Sequence, residues 1–311
     1  MALAYLNGRR LINYGRLLKS EANMLVAAKI EVSPMVALHQ NQQLRLKALD
    51  LVKAMFEQVR VVQQHRAATN GALAGNPLFE SKTRVLAREV NARFKELERK
   101  LNQTHDLFDV QLWSDIRSAW QTVHLQWRQD EVIENFELHS HLVKQMLQYV
   151  AKIGGQAEDL IQTNFQHKAL SLYVFEVLPC FIELVGQIRA LGTSACAIGK
   201  MDAGSEMRLT FLMSQLQKHK RVVKEQAKGL SQEALEITSS LIDALLCEPK
   251  LERLSQMVEQ DLLSNDTIKT SADEVFSLST AVIDAHFNVM IEGLRLLRLN
   301  MDKRMQAWVS R

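Results

Sequence analysis

Proline and glycine are scarce in this chain, at four and twelve of 311 positions. Clusters of β-branched residues are few, whereas Leu, Ala, Gln, Glu, Lys and Met abound, so the composition excludes a turn-rich or strand-rich fold and points to an all-α protein. Cysteine is almost absent. Cys180, Cys196 and Cys247 are odd in number, far apart and set in apolar stretches, which argues against a disulfide framework or a CxxC metal site, favours a reducing compartment, and predicts three core thiols. No uncharged apolar run approaches the roughly 20 residues needed to span a bilayer. The first thirty residues carry Arg9, Arg10, Arg16, Lys19 and Glu21 where an export signal would be apolar, so a soluble, cytoplasmic protein without membrane contact is expected. An excess of one charge is also missing. With 38 basic and 35 acidic side chains the net charge is +3, which calls for no direct nucleic-acid binding.

Signatures of catalysis are missing too. The chain has no P-loop, HExxH, GxSxG or GxGxxG motif, and no glutamate followed three residues later by a histidine, as di-iron bundles require. No enzyme, metal or cofactor is therefore expected. His139 and His141 are the densest histidine pair, but at this spacing on a helix they point to different faces and read as packing or surface residues. Asp130, Glu131 and Glu134 read as an exposed helix start.

What remains is helical periodicity. Helices are expected over 1–30, 41–73, 80–102 and 107–127, the first ended by Ser33-Pro34 and the second by Gly75-Asn76-Pro77. In the third, Val85, Leu86, Val90, Phe94, Leu97 and Leu101 are expected inside. Trp113, Trp120 and Trp127 recur every seven residues, which places three indoles on one core-facing stripe. Further helices are expected over 130–165, broken at Gly154-Gly155, then over 170–199, 207–227, 234–246 with Ser231 as N-cap, and 250–263. The last helix is apolar on two stripes, one through Val275, Leu278, Val282, Ala285 and Val289, the other through Phe287, Met290, Leu294, Leu297 and Met301. Such a helix is wrapped by neighbours on both sides. The pattern predicts antiparallel bundles, with residues 1–40 as a helical extension and 41–311 as the main module.

Two stretches stand apart. QHRAATNGALAG (64–75) and QIRALGTSACAIG (187–199) each set an arginine before a run of small residues that ends in glycine. Small residues let helices approach closely, and a guanidinium beside such a seam is shielded from water and needs an anion. Neither Arg66 nor Arg189 has an acidic residue three or four positions away on its own helix. Two readings are open: each arginine pairs across the bundle with a distant carboxylate, or the two form a clamp for a small anion. The planar guanidinium fork matches a planar oxyanion. Each charge-assisted hydrogen bond contributes about 1.5 to 3 kcal/mol, so two or three arginines helped by Thr69 and Asn70 reach the roughly 8 kcal/mol of micromolar binding.

HRAATNGALAG, the W-x6-W-x6-W segment leading into NFELHSHLVKQML, LPCFIELVGQIRALGTSACAIG and the closing SADEVFSLSTAVIDAHFNVM together resemble the nitrate- and nitrite-sensing (NIT) domain family, from about Leu44 to Met305. The resemblance implies two four-helix bundles that bind nitrate or nitrite between helices. It also implies that the anion is held by Arg66, by Arg189 and by a later-helix arginine matching Arg253 in PKLERLSQMV. Relatives often carry a fused output domain, whereas this chain stops at Arg311, so an unknown output partner acting in trans, or the first forty residues, is expected to carry the signal. A homodimer is expected as well. In the mechanism this suggests, the facing arginines repel until the anion neutralises them, and Gly71, Ala72, Gly75, Gly192, Ser194 and Ala195 let the helices slide. The alternative is a helical interaction or dimerisation scaffold without a small ligand.

Overall fold

The computed structural model describes residues 34–104, 109–159, 165–233, 237–265 and 267–309. The helix expected over 1–30 lies outside them. All regular structure among the described residues is helical, as expected: α1 (Pro34–Leu73), α2 (Pro77–Leu101), α3 (Val110–Gln126), α4 (Val132–Asp159), α5 (Phe165–Leu172), α6 (Leu178–Ile198), α7 (Ala203–Glu233), α8 (Thr238–Leu246), α9 (Glu248–Met257) and α10 (Ala272–Val309). Residues 44–311 form one compact unit with a contiguous apolar core. The finer division into two four-helix bundles does not show as a break in that core.

Local chemistry sets the helix ends. Gly75, in the left-handed region at φ 88°, closes α1: its N–H donates to Ala72 O and the Asn76 N–H to Gly71 O, the paired bonds of a Schellman end. The Asn76 side chain then accepts from the Leu78 N–H, with Pro77 in the first turn of α2. Gly75 therefore ends a helix and takes no part in a sliding seam. Pro34 likewise begins α1 seven residues before the expected start. Other boundaries differ because packing overrides weak breakers. α4 runs through Gly154, where an added Cβ would sit 3.1 Å from the Phe175 ring, and α7 runs through Gly229, so Ser231 lies inside a helix and does not cap one. Pro179 has no N–H for the carbonyl one turn back, and the ladder widens just before it. The Leu178 N–H bonds to Tyr173 O in a π-turn over Tyr173–Val177.

The first four helices follow one another antiparallel. Gln58 donates to Val90 O (3.1 Å) across α1 and α2, the Trp120 indole N–H donates to Asn91 Oδ1 (2.9 Å) across α2 and α3, and the Tyr149 hydroxyl of α4 accepts from the Asp109 N–H at the start of α3. All three tryptophans are buried, as their spacing predicted. Val85 is instead exposed, lying off the stripe that Leu86, Val90 and Phe94 bury. α10 is antiparallel to α1, through Arg60–Asp284 (2.8 Å) and Arg298–Asp50. It is also antiparallel to α6, through Arg189–Thr280 and Gly192 against Val275. The stretch Lys168–Ile198 is long and apolar enough to cross a bilayer, but 56% of its most apolar window is buried within the fold, as suits a core helix.

The cysteines correct an expectation. Cys180 is exposed, and Cys196 and Cys247 are only partly buried; an apolar neighbourhood in sequence leaves the first two on a flank of α6 and Cys247 in the turn between α8 and α9. Burial pushes the Cys196 thiol up to about 12, so it stays protonated and unreactive.

Candidate functional site

α1 and α6 lie side by side and run parallel. Arg66 faces Glu183 and Gly186, and five residues further along α1 Gly71 faces Thr193. Small residues permit the approach: a Cβ on Gly186 would sit 3.0 Å from Arg66 Nη2, and one on Gly71 would sit 2.8 Å from the Phe79 ring and 3.1 Å from Thr193 Cγ2. The two sequence motifs thus form two walls of one seam. Arg66 and Arg189 are both fully buried in it, each 0% exposed.

Their partners differ. Arg66 donates from Nη1 to Glu183 Oε1 (2.7 Å) and to Ser140 Oγ of α4 (3.0 Å), and from Nη2 to Glu183 Oε2 (3.2 Å). The same carboxylate accepts from Gln63 Nε2 (2.6 Å) and Gln187 Nε2 (2.8 Å). For Arg66 the reading of a distant cross-bundle carboxylate is the correct one, and the picture of two bare, mutually repelling arginines is corrected accordingly. Glu183 lies 117 positions from Arg66, so no helical spacing links the two. Its signal was present: it is the only acidic residue between Leu178 and Ile198, a lone carboxylate in an apolar helix.

Arg189 has no carboxylate within ion-pair distance among the described residues. It donates from Nη1 to Thr280 Oγ1 of α10 (2.9 Å), and its guanidinium lies 5.2 Å from the Phe276 ring centre. Nε and Nη2 are buried with no hydrogen-bond partner among the described residues. Desolvation, with the nearby Arg66 and against the opposing pull of Asp284 and Glu183, pushes its pKa down to about 9. It remains a cation at neutral pH. Around it Arg66 is paired with Glu183 and Arg60 with Asp284, so the seam carries one positive charge without a partner.

Two further polar groups share this condition. Asn70, one turn beyond Arg66, is fully buried with both amide atoms unpartnered, and Thr193, one turn beyond Arg189, is buried with a free Oγ1. Buried polar atoms are normally satisfied, so Arg189, Asn70 and Thr193 stand out as buried polar groups without partners among the described residues, Asn70 on α1 and the other two on α6. Thr69 is also buried here, but its hydroxyl donates to His65 O and Arg66 O in its own helix, which leaves no proton for an anion. Arg253 is not brought to the seam: its side chain is 66% exposed and pairs with Glu274 on the surface.

Behind Arg66 lies a buried histidine pair. His139 Nδ1 is 2.8 Å from Asn135 O, so that nitrogen carries the proton, and His139 Nε2 accepts from His65 Nδ1–H at 2.8 Å. His139 is thus a packing residue, whereas His141 is exposed. In front of the pair Arg66–Glu183 a groove of about 770 Å³ opens between α4, α6 and α7, with Glu183, Ser140, His141, Lys144, Arg208 and His219 in its wall. Glu183 is 13% exposed there. No group of three or more metal-ligating side chains occurs among the described residues.

The family model described as nitrate and nitrite sensing (NIT) matches residues 57–292, a span that includes both arginine motifs. No curated protein sequence matches the chain. A solved structure, that of the NasR transcription antiterminator, superposes with a TM-score of 0.66 over 92% of this chain and 76% of that one at 18% identity, a likeness of fold. With most of its length matched by the family model, the chain belongs to the nitrate- and nitrite-sensing family, whose role is sensing and regulation and not catalysis.

Proposed function

We propose that the chain binds nitrate or nitrite in the seam between α1 and α6, on the unpaired edge of Arg189, and relays occupancy to an output partner through movement of these helices. The observation that supports this most is the buried guanidinium of Arg189 with Nε and Nη2 free. A planar monovalent oxyanion supplies what the seam lacks: one negative charge, and acceptors arranged to meet a two-nitrogen fork. Asn70 Nδ2 and Thr193 Oγ1 add donors from the two walls. A ligand moves an equilibrium only by binding one state better, and here the donors come from two helices whose spacing the anion would fix. The chain of a helical antiterminator shares the fold, so control of gene expression is one output this module could serve.

The test is a thermal-shift titration of the protein with sodium nitrate and sodium nitrite against chloride at constant ionic strength. At about a hundred times the dissociation constant, binding contributes about 2.7 kcal/mol, which raises the melting temperature by roughly 4 °C. A flat response to both anions would leave the helical interaction scaffold as the better account.

A further inference from the structure

The anion that already occupies Arg66 belongs to the protein. Glu183 receives four hydrogen bonds, two from Arg66 and one each from Gln63 and Gln187, while Arg66 Nη1 is steadied by Ser140. A carboxylate and a nitrate or nitrite ion are both planar and present two oxygens of similar separation to a guanidinium fork. The cradle that fits one fits the other. The two ends of the pair differ in freedom, however. Arg66 is 0% exposed and held in the seam, whereas Glu183 is 13% exposed and stands in the groove wall. Its carboxylate can turn into that groove, towards water and Lys144, in a wall that also carries Glu137, Glu176 and Arg208, the last paired with Glu137. Arg66 has no such exit.

We propose that Glu183 is an internal competitor: nitrate or nitrite drawn in by Arg189 displaces the Glu183 carboxylate from Arg66, and Glu183 sets the concentration at which the site fills. This rests on the anion-sensing reading given above. Displacement exchanges one anion for another at Arg66, so the cost is the loss of the resident hydrogen bonds, which lowers the apparent affinity. It also gives occupancy a mechanical consequence, because the released group belongs to α6, beside the π-turn over Tyr173–Val177. The groove that receives it is a surface whose charge changes when the site fills.

The experiment compares nitrate titrations of the wild-type chain, Glu183→Gln and Glu183→Asp, read by calorimetry and by melting temperature. The glutamine keeps the shape and removes the charge; the aspartate keeps the charge on an arm one methylene shorter. Loss of a charged competitor should lower the nitrate midpoint by about tenfold or more in Glu183→Gln, with a lower melting temperature in the absence of nitrate, and Glu183→Asp should shift the midpoint the same way by less. A residue with a purely structural role would lower the melting temperature without tightening binding. An equal or weaker nitrate midpoint in both variants, with a normal wild-type response, overturns the competitor role and leaves sensing intact. No response in any of the three overturns sensing itself, and the competitor role with it.

Discussion

Arg66 and Arg189 carry the same charge in the same buried seam, near enough for Arg66 to depress the pKa of Arg189, yet only Arg66 has a carboxylate. The two arginines should therefore respond to substitution in opposite directions, even though they occupy matching places in two similar sequence motifs.

Arg189→Met is expected to stabilise the ligand-free protein and abolish its response to nitrate. A buried cation without an ion-pair partner costs stability, and an apolar side chain of similar volume removes that cost. The gain should be about 1 to 2 kcal/mol, or roughly 2 to 3 °C in melting temperature. Function held at the expense of stability is a common feature of binding sites. Melting curves with and without nitrate test both halves, and a less stable variant that still responds to nitrate would contradict the assignment of Arg189 as the ligand's partner.

Arg66→Met should instead lower stability. It removes the two charge-assisted hydrogen bonds to Glu183 and leaves that carboxylate to turn into the groove, at a cost of about 1.5 to 3 kcal/mol. The double substitution Arg66→Met with Glu183→Met should recover much of that loss. Denaturant midpoints of the four proteins form a double-mutant cycle, and a coupling energy near zero would show that the pair is not the stabilising unit the geometry describes.

The all-helical fold was legible because a helix announces itself within a few turns: the tryptophan stripe of α3 and the double stripe of α10 needed no distant information. The two arginine motifs were legible for the same reason. What could not be read was pairing between helices. Arg66 and Glu183 are 117 positions apart, and no local spacing links them. Thr193 was passed over for Thr69 although both neighbour an arginine, since only the structure shows which hydroxyl spends its proton on its own helix. Arg253 fits an amphipathic pattern equally well on a surface, and the surface is where it lies.

Acid should weaken the fold through its buried histidines. Desolvation lowers the pKa of His65, His139 and His286, His139 to about 3. At His139 the Arg66 charge adds to this, against the hydrogen bond to Asn135 O that favours the protonated ring. A base whose folded pKa is depressed stays neutral in the fold while the unfolded chain takes up its proton. The stability these residues contribute is thus complete above about pH 6.5 and is lost as pH falls below it, by about 1.4 kcal/mol per histidine for each pH unit. Urea midpoints between pH 7.5 and 5 measure this slope. A flat profile over that range would rule out the buried neutral pair.

The packing of α10 on the π-turn offers a test of the fold apart from the ligand. An added Cβ on Gly293 would clash with Val174 Cγ2, a side-chain atom fixed within the π-turn, and would lie 3.4 Å from Leu170 Cδ1. Val174 is 0% exposed and β-branched, so it has neither space nor rotamer freedom to move aside. Overpacking of this kind costs about 1 to 3 kcal/mol, against the gain of up to about 1 kcal/mol that alanine has over glycine within a helix. Gly293→Ala should therefore lower stability, and Val174→Ala added to it should relieve the clash, leaving the double variant more stable than the sum of the two single losses. Additive losses would mean that α10 does not approach the π-turn as closely as the structure places it.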